Sequence, residues 1–129
     1  MQALLLVGLG GAFGSICRYL LNLGVARAFG PAMDLPLGTW IANILGGLLM
    51  GMLVAALTLR GEGDQERWRL LLGVGVLGGF TTFSSFALET AEMIQRRYWE
   101  TAAVYVVTSV AASVCGVFLG MFLMRKLLA

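Results

Sequence analysis

The sequence predicts an all-α integral membrane protein with four transmembrane helices per subunit, and three observations carry that prediction. Of 129 residues, 59% are hydrophobic and 12% charged, with a mean hydropathy of +0.87; soluble domains use roughly 45–50% apolar and about 25% charged residues. Uncharged runs at 1–17, 35–59, 70–88 and 101–124 each come close to the ~20 residues needed to cross a ~30 Å hydrocarbon core. The connections 28–35 (with Pro31 inside it and Pro36 just after), 60–69 ("RGEGDQERWR") and 96–100 leave no room for a soluble domain. Residues 1–129 therefore read as a single four-helix transmembrane domain with both termini on one side.

The first run reads as a retained helix, because a cleaved leader carries a basic region ahead of its apolar stretch and the first basic residue here is Arg18. Small-xxx-small spacings at Gly10/Gly14 in this run, Gly47/Gly51 in the second and Gly116/Gly120 in the fourth allow close helix approach. Cys17 and Cys115 fall inside spans, as buried thiols rather than a disulfide framework. With no histidine and two separated cysteines, a transition-metal site has almost no ligands to use. Trp40, Trp68, Tyr98 and Trp99 near span ends read as interface anchors.

Orientation is nearly undecided. Arg60, Arg67, Arg69, Arg125 and Lys126 on the terminal side face Arg18, Arg27, Arg96 and Arg97 on the other, so the positive-inside rule gives almost no bias. Either the chain inserts both ways round, with an antiparallel homodimer as the natural assembly, or it holds one weakly biased orientation.

The third run is interrupted by "LGGFTTFSSFALE" at 77–89. Two glycines followed by β-branched Thr81 and Thr82 fit a helix broken in mid-membrane, where hydroxyls serve freed carbonyls; an intact helix with a small-residue packing face fits as well. Unwound carbonyls at that depth are ligands for a hard cation. At ~1.5 Å of rise per residue, Phe83 counted from Arg69 and Asn43 counted from Pro36 both lie ~10 Å from the same membrane face.

The fourth run places Tyr105, Ser109 and Ser113 at i, i+4 and i+8, a polar stripe on one helix face. Beside Asn43 and the Thr/Ser cluster it reads as a pathway, with interhelical hydrogen bonding as the plainer alternative. Neutral hydroxyl and amide donors, without a central charge, suit a small ion that must be bound but not trapped. Phenylalanine ring edges carry partial positive charge, so Phe83 and Phe86 can offer them to an anion, although such residues also serve as plain filler. Arg18 and Glu89 are charges within the membrane and are functional candidates by default; pairing with each other or snorkelling to the interface would also explain them.

The stretches "GGAFGSICRY" in the first span, "GTWIANILGG" in the second and "GGFTTFSSFALE" in the third resemble the CrcB/Fluc family of small bacterial fluoride channels, over essentially the whole chain. The resemblance implies an antiparallel dual-topology homodimer in the bacterial inner membrane. It would have two pores, exporting fluoride passively and with selectivity over chloride. The partners so implied are fluoride, a second copy and the lipid bilayer, with no nucleic acid. The resemblance further implies a central structural sodium ion held by main-chain carbonyls, here those of Gly78 and Thr81. It maps the pore onto Asn43, Phe83, Phe86, Tyr105, Ser109 and Ser113, and charged vestibule positions onto Arg18 and Glu89. Two departures stand out: the segment before the break reads "LLGVGVLGGF", where the family has a Thr-Gly-Phe-type start, and the second phenylalanine follows Ser-Ser where Ser-Thr is common.

A small dimeric multidrug exporter is the competing class, but it needs a membrane-embedded carboxylate, and the central parts of all four runs lack Asp and Glu. A purely structural subunit explains the glycines but not a hydroxyl stripe level with Asn43. No nucleophile–base pair or metal set points to an enzyme.

Overall fold

A computed structural model describes residues 1–30, 35–59, 63 and 65–128. Four helical stretches, Gln2–Phe29, Leu37–Leu59, Gln65–Gln95 and Trp99–Leu128, are long and apolar enough to cross a membrane. The described residues contain no strand. The expected connections 28–35 and 60–69 fall partly outside the described residues, Arg60 among them.

Helix α1 (Gln2–Phe29) and helix α2 (Leu37–Leu59) are continuous. The first uncharged run stopped at residue 17, yet α1 continues through Arg18 for more than ten residues. A charge ends the apolar stretch without ending the helix, because backbone hydrogen bonding does not depend on what the side chain touches.

The third span has four parts: α3 (Gln65–Trp68), a π-helical segment (Arg69–Leu77), α4 (Gly78–Phe80) and α5 (Phe83–Gln95). The π geometry was not expected from the sequence. The segment packs closely on α1: Gly75 and Gly10 are so close that a Cβ on Gly75 would stand 2.9 Å from Gly10 Cα, and one on Gly14 would fall on the Val76 carbonyl oxygen. The Gly78 N–H reaches back five residues to Gly73 O, the bond that widens a helix into π form.

Between α4 and α5, Thr81 (φ −83°, ψ 159°) and Thr82 (φ −152°, ψ 117°) are extended. Thr82 then caps α5, its Oγ1 accepting from Ser85 N–H at 3.2 Å, which satisfies one of the donors a helix start leaves open. At the other end of α5, Arg97 adopts a left-handed φ of 64°. Its N–H donates to Ile94 O at 3.0 Å and the Tyr98 N–H to Met93 O at 2.9 Å, a Schellman stop built on arginine where glycine is usual. Helix α6 (Trp99–Leu128) follows at once.

Helices α2 and α6 meet through their glycines. A Cβ at Gly51 would fall on the Val117 carbonyl and one at Gly120 on the Leu48 carbonyl, so the backbones touch directly. At one end a cluster of Phe86, Met93, Ala102 and Tyr105 is buried, with Leu35, Trp40 and Val106 against it. Trp40 is half-buried against this cluster, its Nε1–H donating to Thr108 Oγ1 of α6 at 3.2 Å. Trp68, Tyr98 and Trp99 are exposed.

Candidate functional site

Asn43 lies on α2 opposite the extended pair. Its Oδ1 accepts from the Thr82 N–H at 2.8 Å and its Nδ2–H donates to Thr82 O at 3.0 Å. One side-chain amide thereby completes both backbone groups of a residue that has left the helix, meeting the requirement that buried peptide groups be paired. Gly46, one turn along α2, leaves the room that the Thr81 methyl occupies.

This arrangement alters the carbonyls on the α4 side. In an unbroken helix the Gly78 carbonyl would receive the Thr82 N–H and the Thr81 carbonyl the Ser85 N–H. Both donors go elsewhere, to Asn43 Oδ1 and to Thr82 Oγ1. Gly78 O and Thr81 O are thus released by the same two side-chain bonds, and carbonyl oxygens so released suit a hard cation.

The extended pair opens onto a cavity of ≈ 410 Å³ lined by Asn43, Thr81, Thr82, Phe83, Phe86, Ser109 and Ser113 among others. The Ser109 hydroxyl is buried with no hydrogen-bond partner among the described residues. A buried hydroxyl without a protein partner calls for something else to bind. Around Thr82 the hydroxyls form a chain, Thr82 Oγ1 to Ser85 Oγ at 3.0 Å and to Ser84 Oγ at 3.3 Å.

The two phenylalanines differ in setting. Their ring centroids are 5.6 Å apart with planes tilted by 45°, but Phe86 is 9% exposed and Phe83 80% exposed. Phe86 is clamped from behind by Tyr105, at 5.3 Å between centroids.

Of the residues singled out in the sequence, the structure brings Asn43, Thr81, Phe83, Phe86, Ser109 and Ser113 to one cavity. Tyr105 shares their helix face but stands behind Phe86, its hydroxyl donating to Glu89 Oε2 at 2.7 Å. The other carboxylate oxygen, Glu89 Oε1, accepts from Thr39 Oγ1 at 2.7 Å. Glu89 is thus held by two hydroxyls and does not pair with Arg18, which has no partner among the described residues.

Thr39 was not singled out from the sequence, although it lies four residues before Asn43 and so on the same face of α2. Ser15 was also missed; its hydroxyl reaches Gly79 O at 3.5 Å, tying α1 to α4.

A family model described as "CrcB-like protein, Camphor Resistance (CrcB)" matches residues 5–121. The chain is 55% identical over 129 residues to the "Fluoride-specific ion channel FluC" of Phenylobacterium zucineum (strain HLK1), covering 100% of both chains. It is 53% identical over 127 residues to the protein of that name from Caulobacter sp. (strain K31), covering 98% of both. A third such relative, from Novosphingobium aromaticivorans, is 46% identical over 125 residues, 97% of this chain and 98% of its own.

Proposed function

The chain belongs to the CrcB family, and from that premise we propose that it is a fluoride-selective channel giving passive fluoride export across the bacterial inner membrane, and so fluoride resistance. The observation that carries this reading is the buried, unpartnered Ser109 hydroxyl in a cavity shared with Asn43, Ser113 and two phenylalanines. Fluoride is small and strongly hydrated, so a path through hydrocarbon must replace water with hydrogen-bond donors. The Ser109 and Ser113 hydroxyls supply neutral donors, and so does the Asn43 Nδ2–H that the Thr82 carbonyl leaves free. Ring edges of Phe83 and Phe86 add weak positive charge without the fixed cation that would trap the anion. Tyr105 contributes differently: with its O–H donated in a hydrogen bond to Glu89, it backs Phe86 and turns an oxygen lone pair, not a donor, to its surroundings.

The extended pair Thr81–Thr82 falls at the middle of the Gln65–Gln95 span, which supports a helix break in mid-membrane. The active assembly is an antiparallel homodimer with two pores. Supporting this are the near balance of Arg and Lys between the two sides and the 80% exposure of Phe83 in the single chain, an aromatic surface that a second copy covers. Gly78 and Thr81 of each copy hold a central sodium ion through their released carbonyls. When bound, that ion supplies fixed positive charge at the subunit junction. Arg18 and Glu89 flank the vestibule end.

The test is passive efflux from liposomes carrying the purified protein, followed with a fluoride electrode, with chloride efflux measured from matched vesicles. Fast fluoride release without chloride release is expected. Absence of fluoride release from a folded, dimeric preparation would overturn the assignment.

A further inference from the structure

A groove of ≈ 540 Å³ lies between α2 and the start of the third span, sharing only Met50 with the cavity that holds Asn43 and the phenylalanines. Its α2 wall is an apolar stripe of Met50, Leu53, Val54 and Leu57, the i, i+3, i+4, i+7 spacing of one helix face. The facing wall is hollowed at Gly73, where a Cβ would come within 3.4 Å of Leu53 Cδ2. The mouth carries Arg69 and Glu66. No described residue bonds to the Arg69 guanidinium, and no ion pair joins it to Glu66.

The level of the mouth is set by Trp68, 50% exposed and adjacent to Arg69; tryptophan so exposed beside a charge marks the headgroup region. From Leu57 back to Met50 the groove descends ~10 Å along α2, within one leaflet of a ~30 Å core. An apolar channel that starts at headgroup height and runs inward, with a cation and a carboxylate at its mouth, matches a lipid with both signs on its headgroup.

We propose that this groove binds a phospholipid of the phosphatidylethanolamine class, its phosphate on the Arg69 guanidinium, its ammonium beside Glu66 and one acyl chain against Met50, Leu53, Val54 and Leu57. Guanidinium–phosphate bonds are charge-assisted and bidentate-capable, which gives Arg69 the larger share. A second copy of the chain is a poorer occupant, since packing it there would strip water from an arginine that has no partner among the described residues. The inference rests on the membrane-spanning reading alone and is independent of which ion the chain conducts.

Native mass spectrometry of the detergent-purified protein, titrated with phosphatidylethanolamine or phosphatidylglycerol, tests it. The wild type is expected to retain about one phosphatidylethanolamine per chain and to prefer it over phosphatidylglycerol. Arg69→Gln should lower retention of both lipids at least ten-fold. Glu66→Gln should erase the preference while leaving phosphatidylglycerol bound. Val54→Trp, at a position 43% exposed and so tolerant of bulk, should fill the groove and abolish retention. Inorganic phosphate should not displace the lipid. Retention unchanged by both Arg69→Gln and Val54→Trp would overturn the proposal. So would a lipid-free wild type whose dimer is broken by Val54→Trp, because a second copy would then occupy the groove.

Discussion

Asn43 and Thr82 are joined by a reciprocal pair of hydrogen bonds, 2.8 Å into Oδ1 and 3.0 Å from Nδ2. The pair links sequence-distant parts of the chain and performs two tasks at once. It satisfies a backbone that has left the helix, and it diverts the Thr82 N–H from the Gly78 carbonyl. The same asparagine borders the cavity, so one side chain both completes the break and lines the proposed pore.

Replacing Asn43 by aspartate keeps the acceptor for Thr82 N–H but turns the donor toward Thr82 O into a carboxylate oxygen facing a carbonyl. The cost to stability is expected to be about 1–3 kcal/mol for the carbonyl left unpaired. Fluoride flux should fall further than that loss explains, because a negative charge then borders the anion path. Efflux measured alongside detergent-titrated thermal unfolding separates the two effects; full flux in a folded Asn43→Asp protein would remove this residue from the pore.

Phe83→Ile and Phe86→Ile should both abolish or sharply reduce fluoride flux, yet differ in stability. Phe83 is 80% exposed in the chain, so its replacement should leave the chain's own unfolding near that of the wild type. Phe86 packs on Tyr105, and its loss should cost about 1–2 kcal/mol through removed area and ring contact. Size-exclusion chromatography establishes that each remains dimeric before its efflux is compared. Normal flux through a well-folded Phe83→Ile protein would take that residue out of the pore.

Much of this architecture is legible in the sequence because hydrocarbon imposes length and composition on any span. The four uncharged runs locate the spanning stretches, and rise per residue alone sets Asn43 level with Phe83. The internal geometry is less legible where contact decides it. Gly73 and Gly75 are visible in the sequence, but the widened helix they stand in is not, nor is its close approach to α1 at Gly10 and Gly14. The spacing of Tyr105, Ser109 and Ser113 shows a common face but not that Glu89 captures the first hydroxyl, since α5 follows a break whose direction no pattern of residues specifies. Thr39 was findable as Asn43's neighbour one turn away; its carboxylate partner was not.

Sodium should matter to assembly more than to the fold of a single chain. With Gly78 O and Thr81 O each deprived of its helical donor, removing the proposed ion would leave carbonyls unpaired at the centre of the proposed dimer. Refolding and reassembling the protein with N-methyl-D-glucamine as the only cation should lower both the dimer fraction and fluoride flux, and returning sodium should restore them. Reassembly in the organic cation also removes any ion trapped during purification. Equal dimer fractions in the two media would rule out a structural role for the ion at these carbonyls.

Arg97 offers a test in the opposite direction, toward greater stability. It holds a left-handed φ of 64° in the Schellman stop after α5. A side chain in that conformation costs roughly 1–2 kcal/mol that glycine avoids, while glycine gives back part through the larger entropy of the unfolded chain. Arg97→Gly is therefore expected to gain up to about 1 kcal/mol, read as a higher denaturant midpoint in mixed micelles. Arg97→Ala keeps the left-handed strain and should show no gain, which separates backbone relief from the loss of a positive charge. A gain in both variants would assign the effect to charge, and a gain in neither would mean that the turn relaxes without strain.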